Sequence, residues 1–226
     1  MGEALGEALA RAQREYWERT YTAHPGMYGE RPSESAVQAV TAFRPGGALL
    51  ELGAGHGRDA LYFVRRGFAV TATDFSPVGL DQFAGRARAE GLAVSTLVQD
   101  VREPLRLPAD AVDAVYAHML FCMALSTDEL VALVGEVRRV LRPGGTLVYT
   151  GRHTGDAHFG AGTGHGDGIW EHGGFAVHFF SRELVDRLAE GWGAPGSGPF
   201  AEPSVEPFEE GELPRRLWRV TQRKPG

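Results

Sequence analysis

Cysteine is nearly absent. Cys122 stands alone, which excludes an internal disulfide, a cysteine-based zinc site and a Cys-x-x-Cys redox pair. There is no asparagine, one isoleucine (Ile169) and one lysine (Lys224), so 22 of the 23 basic residues are arginines, a bias of GC-rich codons and not of function. No run approaches the roughly 18 apolar residues of a membrane span. The most apolar stretch, Ala114 to Leu125, is broken by His118 and reads as a buried strand entering a loop. The first seven residues carry two acids and no apolar centre, against a secretory signal, so a cytoplasmic, reducing setting is expected. Basic residues are also too few for a nucleic-acid binder: 23 Lys+Arg against 29 Asp+Glu leave a net charge of −6. A small or uncharged partner is expected, with neither nucleic acid nor membrane; oligomeric state is open.

What is present is enough apolar residue, 43 % of 226, to bury the core of one large α/β domain. Leu5, Leu9, Ala12 and Tyr16 recur at helical spacing near the start, and a second helix follows with Ser33 as cap and Val37 and Val40 on its buried side. Strands and helices then alternate. Strands are predicted at Ala48–Leu52, Phe68–Thr73, Leu92–Val98, Val112–Ala117 and Thr146–Thr150. Helices are predicted at Arg58–Arg66, from Pro77 (capped by Ser76) to about Glu90, and Ser126–Leu141, the last opened by a Ser126-x-x-Glu129 capping box. A helix from Ser181 to about Glu190, a Gly/Pro-rich turn region and two extended segments, Ser204–Phe208 and Arg216–Thr221, end the chain. The expected fold is three-layer α/β: a doubly wound, mostly parallel seven-stranded sheet with helices on both faces and an antiparallel C-terminal strand pair. It is read as a single domain, with a helical lid over 1–45, a cofactor-binding half over 46–152, a Gly/His-rich insert over 153–180 and a sheet edge over 181–226.

In such sheets ligands sit beyond the carboxyl ends of the strands. Gly53, Gly55 and Gly57 fall in the first strand-to-helix turn, with Ala54 and His56 between them. The next residue is Arg58 where a dinucleotide loop would need its third glycine to follow, and Gly-Lys-Ser/Thr is absent, so NAD or FAD is disfavoured and a P-loop excluded. Asp74, 21 positions after Gly53, ends the second strand at the distance of a ribose-binding acid. Asp100 ends the third strand, where it can accept from an adenine amine, and Phe75 offers a flat apolar surface. Glu51 adds a third acid. Three carboxylates around one cleft repel a pyrophosphate and suit a cation. S-adenosylmethionine, with sulfonium, ammonium and ribose, meets these constraints; its product is S-adenosylhomocysteine.

Leu49-Leu-Glu-Leu-Gly-Ala-Gly-His-Gly-Arg-Asp59, Thr73-Asp-Phe-Ser76, Gln99-Asp-Val101 and Leu141-Arg-Pro-Gly-Gly-Thr146, in this order, resemble the motif series of class I S-adenosylmethionine-dependent methyltransferases. Gly57-Arg-Asp-Ala-Leu-Tyr-Phe63 and Met27-Tyr-Gly-Glu-Arg-Pro-Ser33 are similar to small-molecule enzymes of the tellurite-resistance and thiopurine kind. The resemblance implies that Glu51, Gly53, Gly55 and Gly57 contact the methionine moiety, with the intervening Ala54 and His56 also cofactor-binding. It likewise implies that Asp74 serves the ribose, that Phe75, Asp100 and Val101 serve the adenine, that Ala117 offers its carbonyl to the ammonium, and that Ser76 belongs to the cofactor-binding set. Trp17 and Tyr28 would close over the cofactor.

Methyl transfer from a sulfonium needs mainly alignment and exclusion of water. His118, after the fourth strand, is the candidate general base, the alternative being a core histidine with a satisfied hydrogen bond. Five of the eight histidines lie in the insert, and Arg152, His153, Phe159, Trp170 and His178 are candidate substrate residues of a lid there, against the alternative of a solvated loop. No metal site is expected. The acceptor is expected to be a thiol, a chalcogen oxyanion or another small metabolite. Open alternatives are a larger natural product or a protein side chain as acceptor, an inactive cofactor-binding sensor, and a nucleotide-sugar or NAD enzyme on a related sheet.

Overall fold

The computed structural model describes residues 2–193, 204–208 and 215–226. The Gly/Pro-rich turn region ahead of Ser204 lies outside them. Helix α1 (Gly2–Ala23) and the short α2 (Glu34–Ala39) precede an alternating series: β1 (Ala48–Leu52), α3 (Arg58–Arg65), β2 (Ala69–Asp74), α4 (Pro77–Ala89), β3 (Ser95–Val98), β4 (Val112–Ala117), α5 (Thr127–Val140) and β5 (Leu141–His153). Then come β6 (Thr163–Gly166), β7 (Ile169–His172), β8 (Phe175–Phe180), α6 (Arg182–Leu188), β9 (Ser204–Phe208) and β10 (Arg215–Arg223).

Strands β3, β2, β1, β4 and β5 pair in parallel in that order, β10 runs antiparallel to β5, and β9 antiparallel to β10. This path is the expected seven-stranded sheet with its antiparallel C-terminal pair. Three further strands come from the insert, which is therefore not a bare connection. Strand β8 adds in parallel to the tip of β5 through Arg152 and His153, and β7 and β6 follow antiparallel, making ten strands in all among the described residues. The driving force is apolar: Ala176 to Phe180 are all buried, a run that composition dominated by glycine and histidine around it obscures.

Alternation along the strands sorts the core into two layers. Leu50, Leu52, Val115, Leu147 and Tyr149 face α5 and α6, whereas Leu49, Tyr116 and Val148 face α2, α3 and α4 with Phe63 and Phe83. Ser126 and Glu129 close the expected capping box, the Ser126 N–H donating to Glu129 Oε2 at 2.7 Å. Helix α5 passes into β5 at Leu141 with no intervening loop, because Leu141 turns extended while its N–H still reaches the Val137 carbonyl.

Two predicted faces differ. In α2, Ala36 and Ala39 are buried and Val37 is 39 % exposed, because Ser33 anchors the helix to Asp59 and so fixes its rotation. In α1 the inward side is Leu9, Gln13, Trp17 and Tyr21 in steps of four, with Ala12 outside; Gln13 is buried through its amide, which donates to the Met123 sulfur at 3.4 Å. The Leu5 side chain is outside the described set. No helix of the described residues is long and apolar enough to cross a membrane.

Candidate active site

A cavity of about 610 Å³ opens at the carboxyl tips of β1, β2, β4 and β5, between the sheet and α1. Of the residues singled out from the sequence, it is lined by Trp17, Tyr28, Glu51, Gly53, Ala54, Gly55, His56, Asp74, Phe75, His118 and Arg152. Gly57, Ser76, Asp100, Val101 and Ala117 support it from behind or beside. His153, Phe159, Trp170 and His178 do not line it.

At one end lie the acids. Glu51 is 4 % exposed and its Oε2 has no hydrogen-bond partner. Burial, reinforced by Asp59, pushes its pKa well up against the pull of Arg58. Asp74 takes the Gly55 and Ser76 N–H groups, each at 2.8 Å, yet burial still lifts its pKa to about 6. The glycine loop wraps closely over this end. A Cβ at Gly55 would come within 2.5 Å of the Tyr21 hydroxyl, and Gly57, at φ 78°, caps α3 directly against the Phe83 ring. Asp100 sits at the rim, where Arg14 of α1 binds it at 2.9 Å while passing over the Phe75 ring. His56 is 1 % exposed and stacked on Tyr28; burial and the neighbouring Arg86 drop its pKa to about 4.

At the other end is His118. Thr150 Oγ1 lies 2.9 Å from its Nδ1 and also accepts the Met119 N–H at 2.8 Å. That second bond needs Met119 in the left-handed region, φ 60°, which a non-glycine residue adopts only where its surroundings enforce it. Burial brings the His118 pKa to about 4, with Asp59 opposing and Arg58 assisting, so the imidazole is neutral at neutral pH. A depressed histidine contributes stability that is present above pH 6.5 and lost as the pH falls through about 4. The difference in unfolding free energy between wild type and His118→Gln should therefore fall by on the order of 3 kcal/mol from pH 7 to pH 4 in urea titrations. Asp74, whose raised pKa acts in the opposite sense, cancels in that difference.

Asp59 was not among the sequence candidates as a site residue. It is 4 % exposed and accepts from the Ser33 N–H (2.7 Å), the Ser33 hydroxyl (2.6 Å), the Tyr116 hydroxyl (3.2 Å) and Arg58 Nε (3.2 Å). The available signal was its place four residues before Phe63 on the buried face of α3, where an acid must find donors. Tyr16, Tyr21, Met123, Thr150 and Phe175 also line the cavity and were not singled out. Phe175 reaches it because β8 folds back beneath α1, its ring 5.1 Å from that of Tyr16.

The insert residues serve structure instead. His178 is 2 % exposed with Nδ1 2.7 Å from the Leu125 carbonyl; His153 accepts the Gly155 N–H and lies against Trp218. Phe159 packs edge-on to Trp170 and Phe179. Among the described residues no three His, Cys, Asp or Glu side chains converge in a metal-binding set. Cys122 is buried, and its thiol pKa is pushed up to about 11.

Residues 49–145 match the family model of a methyltransferase domain. An uncharacterized methyltransferase, YodH of Bacillus subtilis (strain 168), is 30 % identical over 126 residues, 56 % of this chain; the match spans about half (51 %) of that relative's length. Among solved structures, a SAM-dependent methyltransferase from Methanosarcina mazei superposes with a TM-score of 0.71 at 16 % identity, covering 83 % of this chain and 97 % of the other. The 1,6-didemethyltoxoflavin N1-methyltransferase of Burkholderia thailandensis, solved with its substrate and S-adenosylhomocysteine, gives 0.68 at 18 % identity over 97 % and 90 %. At those identities the likeness is one of fold. The matched stretch contains the glycine loop, Glu51, Asp59, Asp74, Asp100 and His118, whereas α1, Tyr28, Arg152 and Phe175 belong to the flanking segments.

Proposed function

We propose that the chain transfers the methyl group of S-adenosylmethionine to a small-molecule acceptor. The single observation that carries this reading is the unpartnered, buried Glu51 carboxylate facing a glycine-floored cavity, one strand from Asp74. A carboxylate left this way is completed by a cationic donor, and an α-ammonium fits it. S-adenosylmethionine supplies, when bound, a methyl group on a sulfonium that leaves readily as a thioether. Glu51 and the loop amides hold the amino-acid portion, Asp74 the ribose hydroxyls, and Phe75 with Asp100 the base. The Arg14 bond to Asp100 makes α1 a lid over that end, with Trp17, Tyr21 and Tyr28 excluding water.

At the acceptor end, His118, whose Nδ1 shares a hydrogen bond with Thr150 Oγ1, is the group placed to take a proton from an acceptor hydroxyl, amine or thiol as it attacks the methyl carbon.

Calorimetry with S-adenosylhomocysteine tests the cofactor assignment. Asp74→Ala is expected to weaken binding by about 2–3 kcal/mol, the worth of charge-assisted hydrogen bonds. Equal affinity in wild type and variant would remove Asp74 from the ribose site, and no binding to wild type would end the reading.

A further inference from the structure

We propose that Arg152 selects acceptors that carry a carboxylate, binding that group through its Nη1. The inference deepens, and rests on, the methyl-transfer reading of the same cavity. Strand periodicity supplies the first step. Thr150 and Arg152 are two residues apart on β5 and so point to the same side, ~7 Å apart along the strand. Thr150 holds His118, so the guanidinium and the imidazole bracket the space where an acceptor must lie to reach His118.

The second step is the state of the guanidinium. Arg152 is 6 % exposed and lines the cavity. Its Nε and Nη2 clasp Asp156 at 3.1 and 2.6 Å, Nη2 also faces His158 Nδ1 at 3.3 Å, and the group lies over the Phe179 ring at 5.3 Å. Nη1 bonds to no described residue, and it is not among the buried polar atoms closed off from space. Arg152 lines the cavity, so Nη1 is the atom of its guanidinium left to meet a ligand there. Asp156 balances the guanidinium charge, while its oxygens also accept the His158 and Arg216 backbone N–H groups at 2.9 and 2.7 Å, so it engages only the Nε and Nη2 edge of Arg152. What Arg152 presents inward is a guanidinium N–H donor held in place by that pair, and a carboxylate oxygen is its natural complement.

Glu51 lies two strands away across the sheet, ~10 Å, and about four residues nearer the strand start in register. Met119, Met123, Phe175 and Leu217 supply apolar wall between the two charged ends, so the matching acceptor has an apolar body, a carboxylate at one end and the methylated atom toward His118.

Benzoate, 4-hydroxybenzoate and cinnamate, each beside its amide, are the probes. Calorimetry on the full chain saturated with S-adenosylhomocysteine should show the acids binding about tenfold or more tighter than the amides. Arg152→Lys should keep part of that preference. The double variant Arg152→Gln, Asp156→Asn, which strands no buried charge, should lose it while binding S-adenosylhomocysteine as wild type does. The proposal is overturned if no acid binds, if amides bind equally well, or if the preference survives the double variant. The same titrations without S-adenosylhomocysteine read Arg152 alone. Failure of S-adenosylhomocysteine to bind wild type would thus defeat the cofactor reading separately from this one.

Discussion

Replacing Glu51 by leucine should make the protein more stable and at the same time weaken its hold on S-adenosylmethionine. The carboxylate is buried, its Oε2 lacks a partner, and burial with Asp59 nearby disfavours its charge. Burying a polar group without a hydrogen bond costs about 1–3 kcal/mol, and leucine of similar volume removes that cost. The sign with pH follows from the direction of the shift. A carboxyl whose folded pKa is raised contributes stability below its unfolded pKa that is lost as pH rises, so the gain from Glu51→Leu should be larger at pH 7 than at pH 4. Affinity should move the other way, by a hundredfold or so, since a charged hydrogen bond to a buried partner is worth roughly 1.5–3 kcal/mol. Urea unfolding at the two pH values and calorimetry with S-adenosylhomocysteine measure the two halves. A variant that is less stable, or binds unchanged, would show Glu51 to be an ordinary core residue.

Gly57→Ala should be among the most damaging single substitutions to the fold. Gly57 sits at φ 78° as the cap of α3, and an added methyl would enter the Phe83 ring, which packs in the fully buried layer under the loop. Left-handed backbone costs a non-glycine residue about 1–2 kcal/mol, and overpacking a tight core about 1–3 more. The sum is a large share of a typical domain's stability. Gly67→Ala is the internal comparison. Its φ is 86°, but nothing lies within 4 Å of the added carbon, so only the backbone cost applies. Urea midpoints should fall clearly further for Gly57→Ala, and equal falls would mean that Phe83 yields without cost.

The two glycines also show how far a sequence can be read. That Gly53, Gly55 and Gly57 form a ligand loop follows from their place after an apolar strand; that one of them is also held by an aromatic ring from α4 does not. Val112–Ala117 and the Ser126 capping box are found where local pattern put them, because both depend on neighbours within a few residues. The insert is different. Its glycines and histidines read as a mobile lid, yet β8 docks on the tip of β5, a pairing between segments that the local sequence does not encode. His178 and His153 stood out as reactive types and proved occupied, one by the Leu125 carbonyl and the other by Gly155 and Trp218. Asp59, which joins Ser33 and Tyr116, passed unnoticed because its partners lie 26 and 57 positions away.

Alternation of apolar strand and amphipathic helix, together with glycine and acid at the strand ends, determined the sheet, the order of its layers and the class of ligand that suits its first loop, since each rests on short-range periodicity and on the chemistry of single residues. Tertiary structure alone decided which charges are left unsatisfied. Asp59 and Asp74 find donors, Asp156 takes one edge of Arg152, and Glu51 Oε2 is left without a partner in the cavity that Arg152 also lines, because the partners of a buried charge are chosen by folding in three dimensions and not by neighbours along the chain.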